Sequence, residues 1–344
     1  MLWQDMPSTK SLSRSSIHYC RLICQFLMAA LTMGITVSAA AGTYPGQMPL
    51  DVGSGERLLV VEPHPDDGVI AAAGLAQRVL ALHGSVWVAV VTCGDGFVQA
   101  VMNETGQLRP PPTAYISYGE RRLEEARAAW RQIGGDHTRL KPLGFPDAGL
   151  MGLLLEHWFP VHPECSKTTW ACDPPYDEAV DPDVLYCGAN LREELVGILR
   201  EANPTIVAFP DPLDQHPDHR AAGLFTLLAI DEWTRREPNA REAMPRLLAY
   251  LVHWFRWPVD SEGQTPSQAT HGPLDLPQDL PGRGLARTAF PLTDPEMATK
   301  RAALSQFVSQ QKWMAAFLTA FVSRTEPFTM FTETQLREAA RMAD

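Results

Sequence analysis

Four apolar residues in a row, Leu58 to Val61, run into the proline-punctuated stretch Pro63-His64-Pro65-Asp66-Asp67. An unbroken apolar run of this length predicts a strand covered on both faces. Pro63 and Pro65 exclude helix and hold the chain extended around His64. Asp66 or Asp67 then stands at the N-cap position of a helix predicted over Val69–Leu82. A second strand, Val86–Thr92, ends in Cys93-Gly94-Asp95-Gly96. A helix follows over residues 119–135, with Leu123, Ala126, Ala129, Trp130 and Ile133 at helical spacing, and Gly134-Gly135 stops it. A helix from Asn190 ends at Asn203-Pro204, an apolar strand spans Thr205–Phe209, and a long helix runs from Arg220 toward Trp233. Arg246–Trp257 reads as a further strand, and residues 295–324 read as one or two helices. Strands alternating with helices predict an α/β fold with a mostly parallel sheet and helices on both faces.

Two long segments interrupt this rhythm, residues 151–188 and 258–287. The first carries Trp158, Phe159, Trp170, Tyr176 and Tyr186 and is expected to be ordered, as a wall over a site. The second is rich in Pro, Gly and Gln and is expected to be a mobile surface excursion.

The first 41 residues follow a different pattern. Lys10, Arg14 and Arg21 precede an apolar run, Leu22–Ala41, that ends in Ala39-Ala40-Ala41. This reads as a secretory signal peptide cleaved near Ala41, with an uncleaved membrane anchor over residues 22–41 as the alternative. A linker over 42–56, a domain over 57–330 and a tail over 331–344 complete the expected organisation. The expected address is periplasmic or extracellular. Four cysteines follow the leader, Cys93, Cys165, Cys172 and Cys187, and in an oxidising compartment they allow three full pairings. Cys93 reads as a core residue behind its strand; a loop staple is expected from two of the other three. The net charge of −11 and pI near 5.4 argue against a nucleic-acid partner.

The opening motif has a sibling. His64-Pro65-Asp66-Asp67 is matched by His216-Pro217-Asp218-His219, and each follows an apolar strand and precedes a small-residue helix start. One such motif alone reads as a capped turn. Two of them, at the carboxyl ends of strands in one parallel sheet, bring three histidines and three aspartates into one crevice. Two imidazoles and a carboxylate with a free fourth position suit catalytic zinc, and iron, cobalt or manganese also fit such a set.

In their order along the chain, PHPDD, TCGDG, the RRLEEARAAWRQIG helix, LGFPDAGL and HPDH resemble the PIG-L / LmbE-like deacetylases over roughly Arg57 to Phe328. KRAALSQFVSQ and Glu326-Pro327-Phe328 look like that family's closing helix. The resemblance implies a Rossmann-like, three-layer α/β/α fold and a Zn2+-dependent hydrolase that removes an acetyl group from an N-acetylated amino sugar. It carries metal ligation to His64, Asp67 and His219, and the general base to Asp66. A protonated His216 would steady the oxyanion, and Asp218 would orient a histidine. Arg122 and Asp147 would approach sugar hydroxyls, although a surface cation and a turn residue describe them equally well; His253 lies where it could face the crevice or sit in the core. The family usually has Glu after HPDD, where this chain has Gly68. The expected partner is a small-molecule or glycan substrate. Two other readings stay open: a zinc amidase or esterase on a non-sugar acyl compound, and a metal-containing sugar-binding protein without turnover.

Overall fold

A computed structural model describes residues 50–134, 138–258, 272–281 and 285–341. The elements run β1 (Arg57–Glu62), α1 (Asp67–Ala81), β2 (Ser85–Thr92), α2 (Val98–Thr105), α3 (Pro112–Gly134), β3 (Thr138–Phe145), α4 (Leu150–Leu155), α5 (Gly188–Ala202), β4 (Ile206–Pro210), α6 (Pro217–Arg236), α7 (Pro238–Glu242), β5 (Arg246–Tyr250), β6 (Ala286–Pro291), α8 (Asp294–Leu304), α9 (Val308–Ala320), β7 (Thr325–Phe331) and α10 (Glu333–Arg341). Among the described residues seven strands form one sheet in the order β3-β2-β1-β4-β5-β7-β6. The first five are parallel, and β7 runs antiparallel to both β5 and β6. This is the expected three-layer α/β/α arrangement.

Residue parity along the strands explains the layers. Leu58, Val60, Val86, Val88 and Val90 join one core with α1, α3 and α8. Leu59, Val61, Trp87, Ala89 and Val91 join the other with α5 and α6. Successive side chains point to opposite faces, so a strand between two helical layers must be apolar at every position. The chain order reverses between β1 and β4, because β2 and β3 lie on one side of β1 and β4 lies on the other. Side chains that leave the carboxyl ends of two such strands converge in the crevice between them.

Several expectations are corrected. The strand predicted over Arg246–Trp257 ends at Tyr250, and the chain then turns back across the site. The residues 295–324, expected as one or two helices, do form two, α8 and α9. Glu326-Pro327-Phe328, expected in a closing helix, lie on β7, where Glu326, Phe328 and Phe331 are buried. Both β6 and β7 escape a local reading because antiparallel pairing at the sheet edge joins segments far apart in the chain. The expected linker includes Leu50, which is buried in the first core, and the expected tail contains α10, whose Leu336 is buried in the second. Residues 272–281, expected to be mobile, pack Leu274, Leu276 and Leu280 inward. Its last residues, Ala286 and Arg287, open β6, while residues 259–271 and 282–284 of that excursion and the leader over 1–41 lie outside the described residues. Cys165 and Cys172 form the loop staple, while Cys93 and Cys187 are free and buried.

Helix α1 is kinked at Ala72, where φ is −136°. The amides that restart the helix, Gly74 N–H and Leu75 N–H, donate to the two oxygens of Glu326 at 2.8 and 2.9 Å. Lys300 Nζ donates to Glu326 Oε1 at 2.8 Å, and both side chains of this ion pair are buried. The strand β7 thus caps the second half of α1 from outside, and it satisfies amides that the kink would otherwise orphan.

Another buried carboxylate lacks such support. Both oxygens of Glu194 on α5 are buried without a hydrogen-bond partner among the described residues. Burial, with Asp181 nearby, pushes its pKa from 4.5 up to about 8. The folded chain therefore keeps a proton that the unfolded chain releases first, so stability is lost as pH rises from about 4.5 to 8. Glu194→Gln is expected to raise stability by about 2 kcal/mol at pH 8.5 and to change little at pH 4. Denaturant melts at the two pH values check this.

Candidate functional site

The carboxyl ends of β1 and β4 carry the two HPD motifs. Thr92, at the end of β2, steadies the first turn: its N–H and Oγ1 both donate to Pro63 O, at 3.0 and 2.9 Å. The second motif starts α6, with His216 at the N-cap and Pro217 in the first turn. The imidazoles of His64, His216, His219 and His253 lie with ring centroids 4.5–5.3 Å apart in each contacting pair. They line or adjoin an open cleft of about 240 Å³.

Asp67 Oδ2 is the centre of this group. It stands 3.1 Å from His64 Nδ1 and 3.0 Å from His219 Nε2. Tetrahedral donors around an ion with bonds of about 2 Å are separated by about 3.3 Å. Neither ring nitrogen of the fully buried His219 makes a hydrogen bond among the described residues. His64 Nδ1 is within hydrogen-bond distance of Asp67 Oδ2, and the donor atoms of His64, Asp67 and His219 all lie within 4.8 Å of one another, as the ligands of one ion are arranged. The outer nitrogens face carboxylates: His64 Nε2 is 3.2 Å from Asp147 Oδ1, and His219 Nδ1 is 3.4 Å from Asp214 Oδ2. Such outer carboxylates orient metal-binding imidazoles and raise their basicity. Burial works against charge on His64 and His219, but the surrounding carboxylates outweigh it. They hold His64 well above its ordinary value and His219 up to about 9. The cluster therefore demands positive charge, and the residues present fit a divalent ion.

Two other groupings could supply three donors each, His64 with His216 and Asp218, and Asp214 with His219 and His253. Their carboxylates accept two and three backbone N–H groups, against the one, from His64, that Asp67 accepts. Asp218 accepts from Ala148 N–H at 2.7 Å and Leu150 N–H at 3.1 Å. Asp214 accepts from the N–H groups of His216, Val252 and His253 at 2.9, 2.9 and 3.0 Å. The His64, Asp67 and His219 group is the better site.

The remaining predicted residues take specific places. Asp66 is at the N-cap of α1 but makes no side-chain capping bond. Its Oδ1 instead accepts from Arg122 Nη2 at 2.8 Å. Arg122 is buried, and its Nη1 donates to Gly94 O at 3.0 Å. Gly94 has φ +67°, and a Cβ there would lie 1.9 Å from Arg122 Nη1, so only glycine fits the turn. Arg122 is thus not a surface cation; it lines the cleft and holds Asp66 there. Asp147, expected near sugar hydroxyls, is held against His64 by its turn: Gly96 N–H donates to its Oδ2 at 2.6 Å. The Asp218 contacts to Ala148 and Leu150 lock the same turn. Asp218 was expected to orient a histidine; it lies 3.6 Å from His64 Nε2, but the carboxylate facing His219 Nδ1 is Asp214. His216 Nδ1 accepts from Asp218 N–H at 3.3 Å, which leaves its proton on Nε2. Burial and the neighbouring His64, His219 and His253 push His216 down to about 3. With Nδ1 accepting, His216 offers an Nε2–H donor toward the cleft, where the resemblance implies a protonated ring. His253 lines the cleft from the turn after β5.

The aromatic segment expected as a wall does not line the cleft. Its Tyr176 hydroxyl donates to Asp95 instead. The apolar wall comes from Phe97 and from Met314 and Phe317 on α9, with Gln310 above them. The α9 start is fixed by Glu125, which accepts from Ser309 N–H at 2.9 Å and Oγ at 2.6 Å. Local reading missed Asp214 and this helix face. An acidic pair, Asp211 and Asp214, before a second HPD was the one available signal for the former.

The family model described as PIG-L, GlcNAc-PI de-N-acetylase, matches residues 59–230, half of the chain. The chain belongs to this family. A 1D-myo-inositol 2-acetamido-2-deoxy-alpha-D-glucopyranoside deacetylase from Tsukamurella paurometabola is 30% identical over 190 residues, covering 51% of this chain and 55% of that protein. One of the same description from Streptomyces avermitilis is 29% identical over 247 residues, covering 68% and 70%. The chain thus spans only about half the length of the first of these PIG-L relatives. An N,N'-diacetylchitobiose deacetylase structure from Pyrococcus horikoshii aligns over 80% of this chain and 84% of its own, with 18% identity and a TM-score of 0.47.

Proposed function

We propose that this PIG-L family protein is a zinc-dependent N-deacetylase of an N-acetylated amino sugar or its glycoconjugate. The observation that carries the reading is the convergence of His64 Nδ1, Asp67 Oδ2 and His219 Nε2 beside an Arg122-held Asp66. The names of the aligned relatives, deacetylases of an acetamido sugar, support the substrate class. A bound divalent ion would supply Lewis acidity toward water and the amide carbonyl. Asp66 takes the proton from the attacking water, with Arg122 fixing the direction of its carboxylate. The His216 Nε2–H donates to the oxygen that gains charge as the carbonyl is attacked. Asp66 then returns the proton to the departing amine nitrogen. Phe97, Met314 and Phe317 form an apolar side against which an acetyl methyl can lie.

The leader pattern and the Cys165–Cys172 staple support an address outside the cytoplasm. Among the described residues no helix is long and apolar enough to cross a membrane. The test pairs metal analysis with acetate release from a panel of N-acetylated sugars, with and without chelator. About one zinc per chain and chelator-sensitive acetate release are expected. Metal without release from any sugar would overturn the substrate class, and absence of metal binding would overturn the whole reading.

A further inference from the structure

The first turn of α1 carries an anomaly. The N-cap residue Asp66 directs its carboxylate to Arg122 and makes no capping bond. Asp67 directs its Oδ2 to His64 N–H at 2.9 Å and to the two imidazoles. Neither aspartate serves the helix start, where amide groups lack intrahelical partners. The missing acceptor comes from Glu62, the last residue of β1, which is fully buried and whose Oε2 accepts Gly68 N–H at 2.8 Å. The peptide so held is the one that joins Asp67 to Gly68.

Gly68 is the counterpart of this contact. A Cβ at residue 68 would lie 2.4 Å from Glu62 Oε2, and 2.9 Å from both Trp130 Cζ2 and Val60 Cγ1. The carboxylate oxygen therefore fills the volume that any side chain at 68 would need. Where the family pattern usually has Glu after HPDD, this chain brings a carboxylate to the same turn from the strand behind it.

We propose that Glu62 is a positioning residue for the metal site: it caps α1 in place of Asp66 and pins the peptide that sets Asp67 between His64 and His219. This division of labour leaves both aspartates directed into the cleft. The inference rests on the metal-site reading above. Glu62 acts as an acceptor, so Glu62→Gln keeps the contact through its amide oxygen and Glu62→Leu removes it. Gly68→Ala displaces the carboxylate while leaving Glu62 in the chain.

The experiment measures zinc affinity of the full chain by chelator competition, with acetate release and circular dichroism of each variant alongside. Glu62→Leu and Gly68→Ala are expected to weaken zinc binding about 10- to 100-fold, as loss of an outer partner does, whereas Glu62→Gln stays close to wild type. Unchanged affinity in Glu62→Leu overturns the proposal, as does a Glu62→Gln variant as impaired as Glu62→Leu. If Glu62→Leu does not fold, Gly68→Ala carries the test, and unchanged affinity there overturns it. Wild-type protein that binds no zinc would instead refute the metal-site reading itself.

Discussion

Replacing Asp66 by asparagine is expected to lower kcat by about 10²- to 10⁴-fold, with the zinc content unchanged. Asp66 lines the cleft, and its Oδ1 is bound to Arg122 rather than aligned with the three converging donor atoms. It is therefore placed to move protons and not to hold the ion. Asparagine preserves the shape and one hydrogen-bond acceptor for Arg122 but cannot take a proton from water. It also removes the buried guanidinium's direct ion-pair partner, and loss of one member of a buried pair costs about 3–5 kcal/mol at the upper limit. Melting curves measured beside the kinetics separate the two effects. A folded, zinc-loaded Asp66→Asn protein with normal turnover would show that another group is the base.

His219→Ala is expected to have the opposite signature, losing the ion and with it the activity. The ring is fully buried, and it separates Asp67 from Asp214. Its removal takes away one donor of three and leaves two carboxylates facing each other without the cation or the imidazole between them. Ligand binding to the folded state stabilises it by about 4 kcal/mol at a thousandfold excess over Kd. Added zinc should therefore raise the melting temperature of the wild type and have little effect on His219→Ala. A variant stabilised by zinc as strongly as the wild type would remove His219 from the ligand set. Asp66→Asn, by contrast, should retain the zinc-induced shift, so the two variants distinguish proton transfer from metal binding in one thermal experiment.

The parallel sheet and the crevice at its edge were legible because both rest on local regularities. An unbroken apolar run such as Leu58–Val61 suits a strand enclosed by helices, and proline-bounded HPD motifs suit rigid strand ends. The residue types at those ends limit the chemistry before any contact is known. The antiparallel edge was not legible, since Thr325–Phe331 becomes a strand by pairing with β5 and β6. Segments separated by so much chain choose partners through the closing of the whole core.

The same division runs through the site. Sequence alone determined an α/β fold with paired His/Asp motifs at neighbouring strand ends, because periodicity and residue type carry that information. Only the tertiary structure decided which carboxylate serves which neighbour. Arg122 meets Asp66 across 56 positions, Glu326 caps the kink of α1 from 252 positions away, and Asp214 rather than Asp218 faces His219 Nδ1. A carboxylate looks the same in sequence whether it binds an ion, orients an imidazole or caps a helix. Its role is set by which donors lie within about 3 Å after burial has removed the competing water.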